Sequence, residues 1–240
     1  MPPPRSKRAL LWTSTTYFGE GLPWSFLHQM GTEFLTAIGA SKTQIGSTSL
    51  LHLAVTFKFL WSPVLDLFGK RRTWLWVLQL VLGLGMFAVA AVAPAIGPNR
   101  NLVLFWTMIS VLSVVHAAHD IACDGFYLQA LDHRGQKTYS GTRLSAYRVA
   151  LFVGSSLLVT LAGKRGWVWA FGAAGALMLV TSVVNAWVMP HPQEDRPLEA
   201  AKGARPARAR AFLAAFLSFL AQPQAGLVLA FLLLYRVGDI

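Results

Sequence analysis

The stretch VVHAAHDIACDGFY, residues 114–127, places two histidines, two aspartates and the only cysteine of the chain inside a run that is otherwise apolar. That run, residues 102–128, is longer than the roughly 20 residues that cross a hydrocarbon layer about 30 Å thick. A charge at the centre of a bilayer costs roughly 2.5–3.5 kcal/mol on insertion scales, so such a segment must turn its polar side chains toward a protein interior or a wet cavity. At roughly 100° per residue, His116, His119, Asp120, Cys123 and Asp124 fall within an arc of roughly 140°, while Val114, Ala118 and Ala122 cover the other side. One wet face and one greasy face predict a cavity-lining membrane helix.

Composition agrees. The chain is 55% hydrophobic and 13% charged, with a mean hydropathy of +0.49, whereas soluble domains carry about a quarter charged residues. Its 240 residues could not hide that much apolar surface in one core, but a bilayer could. Nine tryptophans and 15 phenylalanines suit the aromatic belts at membrane surfaces. A single cysteine excludes an internal disulfide framework.

Six spans are expected, at residues 10–36, 43–65, 73–93, 102–128, 144–162 and 167–189. A Pro- and Arg-rich linker follows at 190–210. Residues 211–220 then read as a short surface helix, and a seventh span starts near residue 225 and is cut off by the chain end. The expected organisation is a six-helix bundle over 1–189, a cytoplasmic linker over 190–210 and the beginning of a second bundle over 211–240, in a chain that reads as truncated. With the N-terminus inside, fourteen of the 21 Lys and Arg residues fall in inner segments, among them Arg5, Lys70, Arg71, Arg143 and Arg208, and four fall outside: Lys42, Arg100, Lys164 and Arg165. This is the positive-inside pattern. It accounts for the net charge of +11 with no nucleic-acid partner, and it puts the N-terminus in the cytoplasm. The opening MPPPRSKRALLW could mimic a leader, but its apolar run is interrupted by Thr and by Glu20 and no small-residue cleavage site follows, so it is expected to be the start of a retained first span.

Charge is distributed unevenly among the spans. The third and sixth are nearly bare, with Gln79 in one and Thr181, Ser182 and Asn185 in the other. The first, fourth and seventh carry acids: Glu20 and Glu33, Asp120 and Asp124, and Asp239. The second and fifth each carry one base, Lys58 and Arg148. Every third helix is polar, which suggests a repeated three-helix unit, and YFGEG at 17–21 is echoed by YRVGD at 235–239. Arg148 is the expected counter-ion of the aspartates. Three readings of the cluster stay open: a metal site, a structural Asp–Arg pair with water-satisfied histidines, and a titratable relay of Glu20, His116, His119, Asp120, Asp124, Arg148 and Asp239 that loads and releases protons.

The loop SPVLDLFGKRR, residues 62–72, resembles the signature of the major facilitator superfamily, with Asp66, Gly69, Lys70 and Arg71 matching and Ser62 in place of the first glycine. An Asp at a helix C-terminus needs compensation, and a Gly allows a tight turn, so the loop is expected to act as a gating latch. YFGEGLPW (17–24), FKFLWSPVLD (57–66) and HDIACDGFYLQAL (119–131) are similar to the AmpG-type muropeptide permeases and to the related acetyl-CoA transporters. Glu20 stands where that pattern has a small or polar residue, and His119 where it has Gln.

The resemblance implies a monomeric secondary transporter of twelve to fourteen helices in the cytoplasmic membrane. It would import GlcNAc-anhydromuramyl peptides with protons for cell-wall recycling, without cofactor or bound metal. The alternative cargo is another anionic solute such as acetyl-CoA. GEGLP is expected to interrupt the first span and act as a hinge. Tyr17, Trp24, His28 and Gln29 would contact a sugar, and Lys58 and Arg236 would meet carboxylates or phosphates. As an enzyme the chain lacks a Gly-x-Ser-x-Gly elbow and a P-loop; the rival from another class is an intramembrane metalloenzyme.

Overall fold

A computed structural model describes residues 6–58, 65, 69–192, 210, 214, 217, 218 and 220–237, and only the backbone of 232, 233 and 235–237. The described residues form helices and no named strand: α1 (Lys7–Ser25), α2 (Gly31–Ala37), α3 (Lys42–Gly46), α4 (His52–Thr56), α5 (Arg71–Val92), α6 (Leu102–Ala130), α7 (His133–Phe152), α8 (Val159–Arg165), α9 (Trp167–Val188) and α10 (Ala225–Val237). A π-helical turn, Phe26–Met30, joins α1 to α2, and another, Val153–Leu158, joins α7 to α8. Of the described residues, four segments are long and apolar enough to cross a membrane: Arg71–Ala95, Leu102–Ala130, His133–Arg165 and Trp167–Val188. The helical run from α1 to α2 also has the length, but its serines, threonines, glycines and Glu20 dilute its apolarity. The second expected span is divided into α3, a 3₁₀ turn at Ser47–Leu51 and α4.

The fifth span starts well before residue 144. Asp132 caps it by accepting from the Gly135 N–H at 2.7 Å, which satisfies a donor that a helix start leaves free. The helix then runs without a break to Arg165. Arg143, expected in a cytoplasmic loop, therefore lies inside α7.

Helices pack closely wherever small residues let backbones approach. α5 lies along α9, and a Cβ built on Gly83 would stand 3.2 Å from the Gly175 carbonyl, while one built on Gly175 would stand 3.0 Å from the Gly83 carbonyl. α1 lies along α7; a Cβ on Gly21 would come 2.7 Å from the Tyr147 carbonyl. These contacts correct the expected hinge. α1 continues through GEGLP and Pro23, because its glycines serve as points of contact: Gly19 against Gln79 and Thr181, Gly21 against Tyr147 and Ala150. The irregularity falls one turn later, in the π turn that faces its counterpart in the fifth span, with Ser25 against Gly154.

The core has two parts. One is built on Phe26, Met30, Phe34, Phe105, Phe171 and Met178. The other is built on Trp12, Leu75, Leu78, Phe126, Tyr127 and Met189. Along α1 and α6 Glu20 and Asp120 fall between these two apolar blocks, and Asp124 lies one turn further on, among residues of the second. Two arginines meet the C-terminus of α9: the Arg8 Nε donates to the Val188 carbonyl at 3.0 Å, and Arg72 donates to the carbonyls of Met189 and Ala186. Cations there complement the partial negative charge of a helix end.

Candidate functional site

Where the two cores meet, α1, α6, α7 and Lys58, two residues past α4, bring five ionisable side chains into one seam. Lys58 Nζ sits 2.6 Å from Asp120 Oδ2. The Glu20 and Asp120 carboxyls lie close enough to interact with each other. Glu20 is 8% exposed, and its Oε2 has no hydrogen-bond partner among the described residues. One helical turn beyond Asp120, Asp124 Oδ1 accepts from Arg143 Nη2 at 2.7 Å and from the Tyr17 hydroxyl at 3.3 Å. The guanidinium of Arg143 lies 4.5 Å from the centre of the Tyr17 ring and 5.5 Å from that of Tyr127, a cation–π arrangement.

Two ion-paired cations thus face three carboxyl groups. Buried charges persist only when paired. With two cations and three carboxyls the seam is electrically neutral when one carboxyl is protonated, and Glu20 is the one with no ion pair among the described residues.

The histidines of α6 are packed away rather than wet. His119 is fully buried, with its imidazole 3.4 Å from Cys123 Sγ. His116 is also buried, near the Trp24 ring. Ala122, expected on the greasy side, is buried against the second core. The lipid-side face is instead Val111, Val114 and Leu128, because helix packing and not polarity decides which residues close up. A ring stack lies beside this helix: Trp24 on His28 with centroids 4.1 Å apart, and His28 on His52 at 4.0 Å. Gln29 accepts from Ser25 at 2.5 Å. Among the described residues no three His, Cys, Asp or Glu side chains converge where a metal ion could sit; those of α6 are strung along a single helix.

Two expected positions change. Arg148 is exposed on α7 and is not the counter-ion of the aspartates. Arg143, five residues earlier, and Lys58 take that role, since α7 starts early enough to bring Arg143 level with Asp124. Glu33 is exposed in the first turn of α2. Asp66 and Asp239 lie outside the described residues, as does the side chain of Arg236. In the latch loop, Gly69 packs under Trp74, Lys70 is the exposed N-cap of α5, and Arg71 reaches α6, its guanidinium occupying the space where Gly125 lacks a side chain. Sequence reading missed Arg143, Tyr127 and His52. The Asp132 cap signal would have recovered Arg143; nothing local marks the other two.

Long apolar helices packed around a seam of paired charges define a multi-pass membrane protein. Residues 9–238 match the family profile described as the Major Facilitator Superfamily, and the chain belongs to that superfamily. It is 27% identical over 228 residues to the anhydromuropeptide permease of Escherichia coli K12, covering 92% of this chain and 44% of the relative. It is 26% identical over 195 residues to an uncharacterized protein of Haemophilus influenzae, covering 78% of this chain and 44% of that relative. The chain therefore spans about half the length of the curated relatives it matches. The resemblance to muropeptide permeases noted above agrees with the first of these relatives.

Proposed function

We propose that the protein takes part in proton-coupled import of muropeptides, GlcNAc-anhydromuramyl peptides, across the cytoplasmic membrane, with its N-terminus in the cytoplasm. The observation that carries this reading is the seam of three carboxyls against two cations, which holds a proton while neutral and would need to exchange it whenever another charge enters. The relative named anhydromuropeptide permease supports the substrate class. In this reading residues 1–189 form one bundle of a transport unit, 190–210 a cytoplasmic linker and 211–240 the approach to a second bundle. Glu20, Asp120 and Asp124 move the proton. Trp24 and His28, with His52 behind them, offer stacking faces to a sugar, and Gln29 an amide. Lys58 and Arg236 meet anionic groups, and Asp66, Gly69, Lys70 and Arg71 form the latch.

Uptake of labelled GlcNAc-anhydromuramyl peptide into vesicles carrying the full-length protein tests this. The reading expects accumulation that collapses with a protonophore. Folded protein that gives no accumulation, while accumulating acetyl-CoA, would move the assignment to that other class of anion.

A further inference from the structure

The Asp124–Arg143 pair differs from its neighbour in its carboxylate. The two cations are alike, Arg143 39% and Lys58 40% exposed, but Asp124 is 36% exposed and Asp120 12%. The pair is also single-toothed. Both the Arg143 and the Tyr17 bonds fall on Asp124 Oδ1. Among the described residues one of the five N–H donors of the guanidinium is used, although a planar guanidinium can grip a carboxylate with two parallel bonds. Finally, the two tyrosine rings hold the guanidinium independently of its carboxylate partner. Arg143 is therefore placed to keep its position when Asp124 lets go.

We infer that a carboxylate of the substrate displaces Asp124 from Arg143, and that the freed Asp124 then takes one proton from water. This rests on the muropeptide reading and adds how anion and proton are tied together. The exchange balances. A substrate carboxylate and a proton enter; the Asp124–Arg143 ion pair becomes a substrate–Arg143 ion pair and a neutral Asp124 carboxyl. No net charge is added to the seam. Left ionised, Asp124 would be a charge without its partner one turn from Asp120, a cost that taking up a proton removes. The groups facing Asp124 are Tyr17 and Glu20 from α1, Lys58 after α4, Asp120 and Cys123 on α6, and Arg143 on α7. Of these, Arg143 and the Tyr17 hydroxyl hold its carboxylate directly. The proton therefore arrives because the substrate has taken the cation.

The test is calorimetric binding of GlcNAc-anhydromuramyl peptide to the full-length protein in detergent, repeated in two buffers of different ionisation heat. The wild type is expected to take up one proton per peptide bound, with affinity falling about tenfold for each pH unit above neutral, as linkage to one proton requires. Asp124→Asn should bind with no proton uptake and a flat pH dependence. Arg143→Gln should lose at least about tenfold in affinity, the equivalent of one charge-assisted contact. A peptide whose carboxylates are amidated should bind the wild type without taking up a proton, an arm that needs no variant to fold. Proton uptake that persists in Asp124→Asn, or with the amidated peptide, overturns the inference and leaves the permease reading intact. Folded wild type that binds no muropeptide at any pH sinks the reading and the inference together.

Discussion

Two pairs of helices in this protein solve the problem of packing inside a membrane in opposite ways. α5 and α9 come together on glycine: Gly83 and Gly175 each lie where a Cβ would meet the other's backbone, and the polar groups between them are neutral amides and hydroxyls. α1, α6 and α7 come together around charged groups, with Glu20 and Asp120 buried and Lys58, Asp124 and Arg143 partly exposed beside them. Without a hydrophobic force between helices in lipid, close backbone contact is an inexpensive way to hold a pair together. Charge is a costly one. A fold that needed adhesion alone would have used the first solution throughout. The second therefore marks where the molecule does something besides hold its shape, and substitutions in the two regions should separate stability from transport.

The largest effect is expected from Glu20→Gln. It keeps the shape of the side chain but removes the group that can hold the extra proton of the seam. Gradient-driven accumulation in vesicles should fall to background, while exchange of internal for external substrate continues, since exchange needs no net proton movement. Accumulation at the wild-type level would show that the proton is carried elsewhere.

Next is Gly175→Leu. A leucine there meets the Gly83 carbonyl and the Phe87 ring, and overpacking of this kind costs about 1–3 kcal/mol. The melting temperature in detergent should drop clearly, while uptake per folded molecule stays unchanged. A variant that melts normally but transports poorly would mean that the α5–α9 contact moves during the cycle.

The contrast between the regions also explains what could be read from the sequence. Two aspartates in an apolar run cannot be hidden from a hydropathy reading, so the polar character of α6 was plain. Which cation answered each aspartate was not, because pairing across helices depends on where each helix starts. Reading the fifth span from residue 144, where hydropathy rises, left Arg143 in a loop and put Arg148 in its place. The Asp132 cap moves the helix start by three turns and changes the partner. α1 misled for a different reason. Gly19, Gly21 and Pro23 look like breakers in one dimension, and their role as contact surfaces for α5, α7 and α9 exists only after those helices have arrived. The same holds for Gly83 and Gly175, which carry no local signal that distinguishes them from any other glycine in a span.

The smallest expected effect lies in the neutral network that ties α1 to the α5–α9 pair, and it probes whether that region relies on polar contacts at all. Asn185 accepts from the Thr15 hydroxyl at 2.5 Å and donates to Gln79 Oε1 at 3.0 Å, whereas Gln79 Nε2 has no partner among the described residues. Asn185→Leu removes both bonds and leaves the Gln79 amide without its acceptor contact; hydrogen bonds between membrane helices average about 0.6 kcal/mol and reach about 1.7, so a loss in that range is expected. Gln79→Leu removes one bond and also an amide that was already incompletely satisfied, so it should cost less than Asn185→Leu. Because the two side chains share a bond, the double variant should lose less than the two single losses added together. Chemical or thermal unfolding of the three variants in one detergent reads this directly. If the losses simply add, the amides act separately and glycine contact alone holds the pair. If Gln79→Leu costs more than Asn185→Leu, then the Gln79 amide is held by something other than Asn185, and the neutral region is less purely structural than its packing implies.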